Sequence, residues 1–161
     1  MTIKTKIALA ASAAAMMFGA SSAQAATASA DATATILTQI QVTKTADLNF
    51  GTVVVGNTAG TVAISSTGAR TCGAALACTG TTTAAAFGVT GTNGQTVSVS
   101  SDASVSLTSG ANSMSASLTP SVSSLTLASG SAFTVGGTLS VAANQASGNY
   151  AGTFNVTVNY N

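Results

Sequence analysis

The chain closes on Gly148-Asn149-Tyr150-Ala151-Gly152-Thr153-Phe154-Asn155-Val156-Thr157-Val158-Asn159-Tyr160-Asn161. The even positions hold Gly148, Tyr150, Gly152, Phe154, Val156, Val158 and Tyr160, and the odd positions are polar apart from Ala151. Successive side chains of a strand point to opposite faces. The alternation therefore predicts one long strand that begins after Gly148, with an apolar face for a core and a polar face for water. A long, regular strand must pair or stay exposed, and an exposed edge recruits another strand.

The same two-residue period recurs upstream. Ala28, Ala30, Ala32, Ala34, Ile36, Thr38, Ile40 and Val42 share one phase, which predicts an extended arm over 26–35 running into a first strand. Asp47 to Gly51 reads as a turn and Thr52–Val55 as a short buried strand. Val62 and Ile64, Phe87 and Val89, Val97 and Val99, Val105 and Leu107, and Met114, Ala116 and Leu118 mark inward faces of further strands. Asn93-Gly94 is the strongest hairpin signal, because this pair readily adopts positive φ. Pro120 sits where a strand ends, and Val122 to Leu127 reads as a connector. Phe133, Val135, Leu139 and Val141 keep one phase across Gly136-Gly137, which suggests a bulge or a close backbone approach. Outside the first residues no segment has sustained helical spacing. Eight to ten short antiparallel strands predict an all-β sandwich over residues 36–161.

Residues 1–25 read as a secretory signal peptide: Lys4 and Lys6, an apolar run from Ile7 to Ala20, and Ala23-Gln24-Ala25 as the cleavage site. The expected destination is the periplasm, then the cell surface or an extracellular fibre. Beyond residue 25 the charged side chains are three acids, Asp31, Asp47 and Asp102, and two bases, Lys44 and Arg70, a net charge of −1. That balance offers no basic patch for nucleic acid, and no later apolar run is long enough to cross a bilayer. The chain has no His, so no Ser–His relay is available. The aspartates are far apart in sequence, which argues against an enzyme. No glycine-rich phosphate loop or clustered calcium ligands are present, so no metal and no cofactor is expected.

Cys72 and Cys78 lie six positions apart. In an exported chain two cysteines in one loop are expected to form a disulfide. A zinc site would need further Cys, His or carboxylate ligands nearby. A loop this short adds roughly 2 kcal/mol by restricting the unfolded chain, and the pair reads as a staple on a loop tip. The arm, with Ala28, Ala30, Ala32, Ala34 and Ile36 on one face, reads two ways: a frayed terminus or a donor strand for a neighbouring subunit.

Tyr160 as penultimate residue, Gly148 fourteen residues from the end, and the apolar alternation between them resemble the C-terminal signature of chaperone–usher pilus subunits. Ala46-Asp47-Leu48-Asn49-Phe50-Gly51-Thr52-Val53 resembles a turn of spore-coat-U-type secreted proteins. Most of 26–161 is similar to an uncharacterised alphaproteobacterial secreted family related to both. The resemblance implies an immunoglobulin-like, pilin-like fold. It also implies an assembly strand formed by Gly148, Tyr150, Phe154, Val156, Val158 and Tyr160, offered to a periplasmic chaperone and an outer-membrane usher and then kept in a homo-polymer. Many pilins join their first two strands by a disulfide across a long loop, and the Cys72/Cys78 spacing departs from that. The expected function is a structural subunit of a fibre or coat. A monomeric ligand-binding module is the alternative, and a functional amyloid a third, disfavoured by the lack of repeats.

Overall fold

The computed structural model describes residues 24–161. Residues 1–23 of the predicted signal peptide lie outside the described residues. The chain divides into two units after Ala34. Residues 24–34 of the first unit are exposed and carry no regular secondary structure. The second, Thr35–Asn161, holds twelve antiparallel strands.

These are β1 (Gln41–Ala46), β2 (Thr52–Val54), β3 (Gly60–Ile64), β4 (Arg70–Cys72), β5 (Ala77–Thr79), β6 (Ala85–Thr90), β7 (Thr96–Ser101), β8 (Ser104–Ser109), β9 (Asn112–Pro120), β10 (Ser124–Thr126), β11 (Ala132–Val141) and β12 (Val156–Tyr160). Seven of them, β1, β3, β4, β6, β8, β9 and β11, form the main sheet; β10-β7-β12 form a second; β2 and β5 pair by themselves. No helix of the described residues is long and apolar enough to cross a membrane.

β11 is the hub of the main sheet. Val135 pairs with both Ala85 of β6 and Pro120 of β9, and Gly137 to Leu139 pair with both β3 and β9. A residue has only two sheet edges, so β6 and β3 must share one edge of β11 and β9 takes the other. Gly136 marks the point where the shared edge passes from β6 to β3. A Cβ there would collide with the carbonyl oxygen of Ile64. The predicted close backbone approach is present, and Phe133, Val135, Leu139 and Val141 are all buried along one continuous strand.

A single apolar cluster takes side chains from both larger sheets. It includes Val62, Ile64, Phe87, Val89, Phe133 and Val135 from the main sheet and Val97, Val99 and Val158 from the second. Phe87 stacks on Phe133 at 5.3 Å and meets the edge of Phe154 at 6.3 Å.

Several expectations need correction. Asn93-Gly94 is not a hairpin. Gly94 takes φ +81°, and Gln95 donates to the Thr92 carbonyl at 3.3 Å. The strands it joins, β6 and β7, nevertheless enter different sheets. Both have apolar faces directed at the same core, so they meet through side chains and not through a ladder. Val122–Leu127 contains a strand, β10, and Leu127 is among the most buried side chains. Thr52–Val55 is not buried: Val54 is 58% exposed, because among the described residues β2 has β5 alone as a ladder partner. The first strand begins at Gln41, so Ile36 lies outside it and is 92% exposed. The segment before β1 is held instead by Thr38, whose N–H donates to Thr92 Oγ1 at 2.7 Å and whose carbonyl accepts from Tyr160 Oη at 2.6 Å.

Candidate assembly site

The closing stretch is not one strand. Ala151 bridges to Thr108 of β8 in the main sheet, whereas Val156–Tyr160 pair with β7 in the second. The reason lies in its partner. Residues 96–109 also change sheets, between β7 and β8, and the closing segment follows them antiparallel through the crossing. Asp102 clamps that point. Its N–H donates to the Asn155 carbonyl at 3.0 Å, and its carboxylate accepts from the Asn155 N–H at 2.8 Å and side-chain amide at 3.2 Å. Gly152 is required there, because a Cβ would strike the carbonyl of Ser106.

Of the predicted assembly residues, Val158 is buried, and Tyr150, Phe154, Val156 and Tyr160 are half-buried. Gly148 is exposed and outside any strand, lying against Ser109. Just beyond β12 the Asn161 N–H donates to the Thr96 carbonyl of β7 at 3.3 Å, which shows the phase of the ladder. Odd residues turn their backbone groups to β7, so those of Val156, Val158 and Tyr160 point to the outer edge. β7 is the only strand β12 pairs with among the described residues.

Beside this segment lies a groove of about 600 Å³. One wall is Leu48 to Val55, which includes β2, and the other is Gln145 to Tyr150; Leu107, Met114, Leu139 and Val141 make an apolar floor. The second wall is ordered by its own polar groups. Gln145 Nε2 donates to Tyr150 Oη, which donates to the Ala146 carbonyl, both at 2.8 Å. Asn144, at φ 51°, donates to the Gly56 carbonyl at 2.8 Å and joins the two walls at one end. Sequence reasoning marked Asp47–Gly51 and Thr52–Val55 of one wall and Gly148–Tyr150 of the other, but it could not bring them together.

Cys72 and Cys78 form the expected disulfide. They do not sit on a loop tip: Cys72 ends β4 and Cys78 is central in β5. The donor-arm residues Ala28, Ala30, Ala32 and Ala34 are exposed within their own unit, and Ile36 is exposed in the second. The carboxylates are dispersed: Asp47 pairs with Lys44 at 2.6 Å, and Asp102 serves the crossing. No group of three or more metal-ligating side chains occurs among the described residues.

The fold is thus all-β and antiparallel, with a disulfide between β4 and β5 and an apolar groove that has β2 in one wall. Residues 40–160 match the family model described as Domain of unknown function (DUF4402), and the chain belongs to that family. No curated protein and no solved structure matches the chain.

Proposed function

We propose that the protein is a non-enzymatic structural subunit of an exported fibre or surface coat, built on an immunoglobulin-like sandwich and joined by β-strand exchange. Two observations carry this reading: the groove with its apolar floor, walled on one side by the start of the closing segment, and the outer backbone edge of β12 further along that segment, which has no ladder partner among the described residues. Such an edge supplies main-chain hydrogen bonds, and the floor selects alternate side chains of whatever strand is added. The arm over 26–35 of a second copy is the proposed donor. Extended, its ten residues reach about 33 Å, longer than the five-residue strand β12. Its alternating small residues suit a shallow groove, and Ile36 supplies one large apolar side chain at its base. A periplasmic chaperone would cover the same edge before assembly, and an outer-membrane usher would hand the subunit to the polymer; the similarity of the closing stretch to pilus subunits supports both.

Deleting Ala26–Thr35 tests this. Sedimentation should show polymer for the intact chain and monomer for the deletion, with unchanged far-UV circular dichroism. Polymer from the deleted chain, or an intact chain that stays monomeric at high concentration beside its export partners, rejects strand exchange. In the latter case a small apolar ligand for the groove becomes the better reading.

A further inference from the structure

We propose that the Cys72–Cys78 disulfide and Arg70 together position the β2 wall of the groove, so that the groove accepts an inserted strand only while the disulfide is closed. β2 belongs to neither large sheet; its ladder partner is β5, through Thr52–Thr79, Val53–Cys78 and Val54–Ala77. β4, by contrast, is built into the main sheet through Val62–Cys72, Ala63–Thr71 and Ile64–Arg70. Between β4 and β5 there is no backbone ladder among the described residues. Two side-chain links replace it.

The first link is the disulfide, which joins Cys72 of the main sheet to Cys78, the residue paired with Val53. The second is Arg70. Its Nη1 donates to the carbonyls of Thr79 at 2.7 Å and Gly80 at 3.2 Å, and its Nη2 to that of Cys78 at 3.2 Å. A guanidinium has five donors in a rigid plane and suits such a fan of carbonyls. Arg70 also packs on the wall itself: a Cβ on Gly51, which already needs φ +76°, would lie 2.7 Å from Nη1. The order of support therefore runs from β3 to β4, across the disulfide and the guanidinium to β5, and then to β2.

The other backbone hydrogen bonds to the wall lie at its ends. Asn49 bridges to Thr83 before β2, and the Gly56 carbonyl accepts from Asn144 after it. Of the three residues between, Thr52 and Val54 are exposed and Val53 alone is half-buried against the core cluster, so burial holds this stretch through one side chain. A staple closing so short a loop has a modest effect on the unfolded chain. Its main effect here is on local opening of the native state.

The proposal takes the arm of a second copy as occupant from the strand-exchange reading, but the support of the wall is measurable without it. Amide hydrogen exchange on the oxidised full chain is compared with Cys72→Ala/Cys78→Ala and with Arg70→Ala. Exchange at residues 52–54 should rise at least tenfold in the double variant and severalfold in Arg70→Ala, with β11 amides unchanged in both. Assembly of the double variant should fall by a similar factor. Wild-type protection at 52–54 in either variant overturns the proposal, whatever the assembly result. Should the double variant lose β11 protection as well, Arg70→Ala alone decides. A wild type that never assembles rejects strand exchange and leaves the exchange comparison standing.

Discussion

Replacing Gly136 by Ala and, separately, Gly88 by Ala gives opposite outcomes from the same chemical change in the same sheet. At Gly136 the new methyl would collide with the Ile64 carbonyl oxygen, with the Ser65 carbonyl carbon at 3.0 Å and the Ser66 nitrogen at 3.2 Å. All three are backbone atoms, so no side chain can swing aside. β3 must move off β11, carrying Val62 and Ile64 out of the core cluster. Overpacking of this kind costs about 1–3 kcal/mol, and immobile neighbours put it at the upper end. For a domain of this size that lowers the unfolding midpoint by roughly 10 °C. At Gly88 the nearest atom to a Cβ is the Thr43 carbonyl oxygen at 4.0 Å. The native backbone there is ordinary strand, and loss of unfolded-state freedom should stabilise by about 0.4–1 kcal/mol. Its midpoint should rise by a few degrees. Thermal unfolding followed by far-UV circular dichroism measures both. Equal midpoints for Gly136→Ala and wild type, or comparable losses in both variants, would refute the assignment of Gly136 as the point where β11 changes partners.

Val158→Asp places an unpaired charge at a buried site of the second sheet, and no folded protein should be recovered by size exclusion. Asp102→Ala removes two charge-assisted bonds at the sheet crossing; the site is exposed, so the urea midpoint should correspond to a loss of about 1–2 kcal/mol. Tyr160→Phe deletes the hydroxyl that links Thr92 and Thr38. Its cost is about 1 kcal/mol, read as faster amide exchange at residues 36–40.

Side-chain phase was legible wherever burial set it. Val62, Ile64, Phe87, Val89, Val97, Val99, Val105, Ala116, Leu118, Phe133, Val135, Leu139 and Val141 all occupy the core their alternation indicates. Pairing was not legible, because a period of two says which face is inside and nothing about which strand lies alongside. The Asn93-Gly94 turn shows this: its chemistry reverses the chain equally well within a sheet or between sheets. Thr52–Val55 misled because a run of valines is read as buried, whereas β2 lies outside both large sheets. The closing segment kept its period through a change of sheet, so the break at Gly152–Asn155 left no mark in the pattern except Gly152 itself. The groove depends on two segments about a hundred positions apart, beyond the reach of local sequence rules. The disulfide was expected from its cysteines, but that it joins the main sheet at β4 to the strand paired with β2 could not be read from their spacing.

The position of β11 has a consequence for the time course of folding. Its three neighbours, β3, β6 and β9, are all made before it, and among the described residues only β3–β4 and β8–β9 are ladders between strands consecutive in sequence. Until residue 141 emerges, the main sheet has no centre. Until the closing segment arrives, β7 and β8 each keep an unfilled edge. Contacts at such separations make folding slow, and open edges in a half-made chain invite association. Nucleation should begin in the β8–β9 hairpin, whose two-residue turn has Gly110 at φ 58°. Mutations there should slow refolding more than they speed unfolding, whereas mutations in β12 should do the reverse.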